Sequence, residues 1–180
     1  FTKLRPIHQS DLVRKNIEKL IESFLAVSQK HPKVQLVIVG KHGWLYEEIL
    51  KAPKKYGLEE KVTFFPFVPD PDLAYFYKHA ICYVLPSLYE GFGLPVLEAM
   101  AYDCPVIISN VSSLPEAGGD AALYIDPTNT DDITEKILSL VENQSLREAL
   151  IAKGKVQIKK FSWEKTARET LAVLESVAQK

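Results

Sequence analysis

The sequence predicts an α/β domain, doubly wound around a mainly parallel six-stranded sheet with helices on both faces. Three observations carry that reading. Short β-branched apolar runs alternate with segments of helical periodicity from one end to the other, the pattern of successive βα units. The runs are nearly continuous rather than alternating, as strands covered on both faces require. Finally, 180 residues that are 47% apolar and 25% charged, with 11 Pro and 8 Gly, suit one globular domain and exclude a disordered or fibrous chain.

Taken in order, residues 1–4 read as the end of a first strand. A helix over about 15–29 follows, because Ile17, Leu20, Ile21, Phe24 and Val27 fall on one stripe at helical spacing. Residues 34–39, 62–65, 81–85, 105–108 and 122–125 supply five further strands. Asp70, Pro71 and Asp72 give an N-cap, a proline at the first helical position and an acid in the first turn of a short helix. Ser145 and Glu148 have the spacing of a capping box, and Gly154 is the expected stop of the helix they open. Ser162 caps a last helix, over 162–180, whose Trp163, Ala167, Leu171 and Leu174 share one face, expected to look toward the core.

Charge and cysteine content narrow the function. With 22 Lys plus Arg against 23 Asp plus Glu the net charge is −1, which argues against a broad cationic surface for nucleic acid. Cys82 and Cys104 fall in adjacent predicted strands and read as reduced core thiols. The four histidines (His8, His31, His42, His79) lack metal-ligand spacing, so no metal site is expected. No apolar run approaches the roughly 20 residues that cross a bilayer, and no signal peptide opens the chain. The only methionine is Met100 and the chain opens on Phe1 inside a strand-like run, the expectation for a piece of a longer protein.

The most informative stretch runs from Pro86 to Glu98, between the strand ending at Leu85 and an apolar helix around Leu97. Gly91 and Gly93, right after a strand and right before a helix, let the backbone approach a ligand and aim free N–H groups at it. Pro95 suits the first turn, which puts the helix start at Gly93 or Leu94. The orphan N–H groups there suit a diphosphate. Glu90 and Glu98 bracket this cradle; a carboxylate repels phosphate but accepts two hydrogen bonds from the hydroxyls of a ribose or hexose. Arg14 and Lys15 supply cations at the start of the first helix. In a strand order 3-2-1-4-5-6 their loop and the loop from Glu90 to Gly93 leave the two strands at the switch point, so both converge on one crevice.

These residues resemble a known family. The span from Glu90 to Glu98 matches the E-x7-E signature of the family-four retaining glycosyltransferases with a GT-B fold, which transfer a sugar from a nucleotide diphosphate donor. The match extends to R-K-N at 14–16, V-I-V-G-K-H-G-W-L-Y-E-E at 37–48, P-V-I-I-S-N-V-S-S-L-P-E at 105–116, G-D-A-A-L-Y-I-D-P at 119–127 and F-S-W-E-K-T-A at 161–167. It is a match to the C-terminal, donor-binding domain.

The resemblance implies that residues 1–180 are a nucleotide-sugar-binding domain, with the N-terminal acceptor domain absent. It implies donor diphosphate contacts from Lys15 and Arg14 and from the backbone of Gly91, Phe92, Gly93 and Leu94. Glu98 would hold the ribose, Glu90 would face the transferred sugar, and Phe67 and Val68 would lie against the base. Lys15 and Glu90 are thus the catalytic candidates. No cofactor or metal is implied, because protein cations and the helix N-terminus offset the leaving diphosphate's charge. The family's glycine followed by a base at the end of the first strand is not matched here, where Lys3 and Arg5 are the nearby cations. Implied partners are the nucleotide-diphosphate sugar and an acceptor glycan or lipid-linked glycan reached through the absent domain. The expected location is cytoplasmic, with peripheral association at the inner face of a membrane left open for the full-length protein. Two alternatives stand beside this reading: a nucleotide-sugar epimerase of similar architecture, and a non-catalytic nucleotide-sugar-binding module. The fragment alone is expected to be inactive in transfer.

Overall fold

The computed structural model describes residues 15–40 and 46–178. Along them run α1 (Ile17–Lys30), β1 (Leu36–Val39), α2 (Tyr46–Lys55), β2 (Val62–Phe65), α3 (Asp70–His79), β3 (Tyr83–Leu85) and α4 (Leu94–Ala101). Then follow β4 (Val106–Ser109), α5 (Leu114–Gly118), a 3-10 turn (Gly119–Ala121), β5 (Ala122–Ile125), α6 (Thr130–Glu142), α7 (Gln144–Gln157), a second 3-10 turn (Ile158–Lys160) and α8 (Trp163–Ala178).

The fold is the expected α/β alternation, with every described strand pair parallel. β1 pairs with β2 in the register Leu36 to Val62, and β4 lies between β3 and β5 with Val106 opposite both Tyr83 and Ala122. Among the described residues this gives five strands in a pair and a triplet rather than one six-stranded sheet. The expected first strand, residues 1–4, lies outside the described residues. β1, β3 and β4 are buried along their whole length, as their near-continuous apolar sequence required.

Helices flank the strands. The α1 stripe is as read: Ile17, Leu20, Ile21, Phe24 and Val27 are all buried, and α1 packs on α2 and α6. On α6 the matching stripe is Ile133, Ile137 and Leu140, with Asn129 capping the helix by accepting from the backbone N–H groups of Asp131 and Asp132. α4 packs between α5 and α7.

Four details of the sequence reading are corrected. The N-cap of α7 is Asn143, whose side chain accepts from the Leu146 N–H at 2.9 Å, so Ser145 and Glu148 lie inside the helix and form no capping box. Asn caps as well as Ser, and here it stands directly after α6, leaving no room for a later start. Gly154 does not stop α7; the helix continues to Gln157, and a Cβ at Gly154 would lie 3.3 Å from Cγ of Met100, so the glycine lets α7 lie close on α4. Asp70 is the first residue of α3 rather than its cap, which is Pro69. Finally, α8 buries none of its residues; Trp163, Leu171 and Leu174 are exposed rather than core-facing.

Candidate functional site

Parallel strands release their following loops at one edge, and the site is built there from three of them. The loop after β3 reaches α4 at Gly93, whose φ of 98° and ψ of 38° place it in the left-handed region. Glycine is required at that point twice over, since a Cβ would also sit 2.9 Å from Cδ2 of Leu114. At Gly91, which is exposed, a Cβ would meet nothing within 4 Å. α4 starts at Leu94 with Pro95 in its first turn, as the sequence indicated, and that turn carries no acidic residue to offset the positive end of the helix dipole. Leu94 is exposed, while Phe92 packs edge-on against Phe161 with ring centroids 5.6 Å apart.

Lys15 and Glu90 meet at this edge. The Lys15 ammonium lies 3.4 Å from Oε1 of Glu90, with both side chains at or below 9% exposure. Ser87 donates its hydroxyl to the same carboxylate oxygen at 2.8 Å. A buried pair of this kind is stable only when further hydrogen bonds support it, and Ser87 provides one. The Glu90 backbone is held as well: its N–H donates to the Ser112 hydroxyl at 3.0 Å, and its carbonyl accepts from the Ser113 hydroxyl at 2.9 Å.

Asn16, next to Lys15, anchors the start of α1. It caps α1 in the left-handed conformation, φ 57° and ψ 40°, which Asn tolerates better than most residues. Its side-chain amide donates to the carbonyl of Pro127 at 2.6 Å, tying the start of α1 to the loop after β5.

Glu98 lies one turn inside α4, half-buried, and lines a groove of about 660 Å³ with Phe92, Leu94, Leu97, Phe161 and Trp163. Tyr83 at the head of β3 senses both carboxylates: burial first, then Tyr77, then Glu90 and Glu98 push its phenol well above the usual range. Val68, with Phe67, lines a separate aromatic hollow of about 300 Å³ beside Tyr75.

The structure therefore brings Lys15, Glu90 and the Gly91 to Leu94 segment together. Glu98 sits on the adjoining groove, and Val68 on its own hollow past β2. Arg14 lies outside the described residues, as do Lys3 and Arg5. Sequence reasoning missed Asn16, Ser87, Ser112 and Ser113 as parts of the site. Asn16 belonged to the R-K-N run already singled out, and the Ser-Ser-Leu-Pro run carried the usual signal of a helix start. Among the described residues no group of three or more His, Cys, Asp or Glu is arranged to hold a metal, and no helix is long and apolar enough to cross a membrane.

Comparison with known proteins identifies the family of the chain. The family profile described as glycosyl transferases group 1 matches residues 9–157. O-antigen chain mannosyltransferase B of Escherichia coli is 40% identical over 159 residues, a match that covers 88% of this chain and 42% of that protein. The chain thus spans about two fifths of the length of this curated relative. Among solved structures, the C-terminal domain of the group 1 family protein LpcC from Francisella tularensis superimposes with a TM-score of 0.76 at 25% identity, over 88% of this chain and 83% of that one. A variant of S. aureus TarM in complex with fondaparinux, alpha-GlcNAc-glycerol and UDP superimposes with a TM-score of 0.81 at 27% identity, over 95% of this chain and 34% of that one. By sequence and by fold, this chain belongs to the group 1 glycosyl transferases, with the Rossmann-like architecture of the GT-B enzymes.

Proposed function

We propose that this chain is the donor-binding domain of a retaining glycosyltransferase: it binds a nucleotide-diphosphate sugar and stabilises the departing nucleotide diphosphate while an acceptor hydroxyl, presented by another part of the full-length enzyme, attacks the anomeric carbon. The observation that carries this is the buried Lys15 ammonium, 3.4 Å from the Glu90 carboxylate, beside the accessible Gly91 and the N-terminus of α4. Cation, backbone N–H groups and helix dipole together meet the charge that develops on the leaving diphosphate. Glu90, close by, accepts hydrogen bonds from hydroxyls of the transferred sugar, and Glu98 from those of the ribose. Phe67 and Val68 offer an apolar face to the base. The retaining outcome rests on the E-x7-E resemblance, and the use of a nucleotide donor draws support from the UDP bound by the TarM variant.

In this reading the diphosphate charge is offset by protein groups and no metal or other cofactor takes part. Its acceptor is a glycan or lipid-linked glycan, and the cytoplasm or the cytoplasmic face of a membrane is its place of work. Calorimetric titration of the chain with UDP, GDP and ADP, and with UDP-glucose, GDP-mannose and ADP-glucose, tests the reading. One base is expected to bind best, with EDTA without effect and with affinity reduced by Lys15→Ala and Glu98→Ala. A folded chain that binds none of the six removes the donor site.

A further inference from the structure

Ser112 adopts a backbone conformation that is unfavourable locally, Ser113 forgoes a local cap hydrogen bond, and each directs its hydroxyl at the same residue. Ser112 has a φ of 49°, in the left-handed region that disfavours side chains other than Gly, Asn and Asp. Ser113 occupies the N-cap position of α5, yet its hydroxyl makes no cap hydrogen bond to that helix. It donates instead to the Glu90 carbonyl at 2.9 Å, across 23 positions of sequence, while the Ser112 hydroxyl accepts from the Glu90 N–H at 3.0 Å. Both backbone groups of one residue are therefore held by adjacent serines from the loop after β4. A residue kept in a sparsely populated conformation, as Ser112 is, persists where the surrounding structure over-determines it, and such residues gather at functional sites.

We propose that Ser112 and Ser113 are positioning residues that fix Glu90 for the hydroxyls of the transferred sugar, an inference that rests on the donor-site reading above. The division of labour is spatial. Ser87 and Lys15 meet the carboxylate at Oε1. The two serines meet the peptide groups and so fix where the Glu90 side chain starts. Their loss shifts the carboxylate relative to the sugar, while Lys15 and the backbone of Gly91 to Leu94 keep their hold on the diphosphate. The serines thus act on discrimination between a nucleotide sugar and the bare nucleotide diphosphate.

The test uses the 180-residue chain with Ser112→Gly, Ser113→Ala and Ser113→Thr. Ser112→Gly is informative because glycine relieves the left-handed backbone while removing the hydroxyl, so stability is retained. Affinity is measured by calorimetry for whichever pair binds the wild type best among UDP and UDP-glucose, GDP and GDP-mannose, and ADP and ADP-glucose. Exchange of the Glu90 amide is followed by NMR without ligand. Ser112→Gly and Ser113→Ala are expected to weaken the sugar conjugate by about tenfold, the equivalent of about 1.4 kcal/mol, with the bare diphosphate within about twofold. Ser113→Thr, which keeps the hydroxyl, restores wild-type affinity. The Glu90 amide exchanges about tenfold faster in Ser112→Gly. Equal loss for sugar conjugate and diphosphate, or no loss for either, overturns the positioning role. A wild-type chain that binds no nucleotide sinks the donor-site reading and the sugar role with it; unchanged amide exchange refutes the hold on Glu90 itself.

Discussion

Replacing Lys15 with Met, Glu90 with Gln, and then both gives a direct measure of the buried pair. At 3.4 Å the attraction between unit charges is about 1 kcal/mol in the dielectric of bulk water and about 5 kcal/mol at an effective dielectric of about 20. With both side chains at or below 9% exposure, the latter regime is nearer. Against it stands the desolvation of both ions, so the pair as a whole contributes little net stability. Removing one partner is a different matter, because it leaves the other charge buried with only its remaining hydrogen bonds. Lys15→Met keeps the apolar stem of the side chain and is expected to cost about 3 kcal/mol, as breaking a buried pair usually does. Glu90→Gln keeps an acceptor for Ser87 and costs somewhat less. The double variant carries no charge to strand and should return to within about 1 kcal/mol of wild type. Urea unfolding followed by circular dichroism at pH 7 gives the midpoints, provided the slope is common to all four proteins. Simple additivity, with the double variant losing the sum of the single effects to within about 0.5 kcal/mol, would refute a coupled pair.

Further expectations follow from the loops and the surface. Gly93→Ala should lose about 1–2 kcal/mol to the left-handed backbone, with added crowding from Leu114 at 2.9 Å, and should weaken nucleotide diphosphate binding; thermal unfolding and calorimetry read both. Gly91→Ala meets nothing within 4 Å and should leave the melting temperature in place while reducing diphosphate affinity; unchanged affinity would remove Gly91 from the site. Glu142 is held below the ordinary carboxylate range by Lys30, whose ammonium lies 2.6 Å away, and then by His31. Its contribution is full above the unfolded carboxylate pKa and is lost as pH falls through the depressed folded value, so Glu142→Gln should be less stable than wild type at neutral pH, converge on it in acid, and so flatten the acid limb of the stability profile. Cys82 and Cys104 are both free and buried, and burial pushes the Cys104 thiol far up, so a thiol reagent should label neither in the native chain and both in guanidinium.

How much of this was legible in the sequence divides along physical lines. Burial by period was legible: the α1 stripe, the apolar strands and the first turn of α4 at Pro95 came from local patterns that the fold did not override. The meeting of Lys15 with Glu90 was legible too: it follows from an expected strand order whose first strand lies outside the described residues, and the two side chains do lie together. What stayed hidden depends on long-range partners. The Ser113 hydroxyl has a local use as a cap and is diverted by a carbonyl 23 residues back. Asn16 likewise binds a carbonyl 111 positions away. The two misread features of α7 failed for similar reasons: Gly154 ends a helix by propensity, but close approach to Met100 gave it another use, and Asn143 pre-empted the box at Ser145. An apolar face on α8 was visible, but amphipathicity says that a helix has something to bury and not that this chain buries it.

That last helix has a thermodynamic consequence. α8 has 16 residues and none of them is buried. Its hydrogen bonds and ion pairs include the Ser162 hydroxyl accepting from the Lys165 N–H and the one-turn pairs of Glu164 with Arg168 and Lys165 with Glu169, while Trp163 at its start lines the groove beside Phe92 and Leu94. Such pairs contribute a few tenths of a kcal/mol each, and an isolated helix of about this length is marginal in water. α8 is therefore expected to melt below the core, with most of the heat-capacity change and denaturant slope of the cooperative transition belonging to the chain ahead of Trp163. Its amides should exchange through local fraying even where those of the buried β4 wait for global opening. In this chain the helical content seen by circular dichroism and the stability of the core are separate quantities, and heating should dissociate the first from the second.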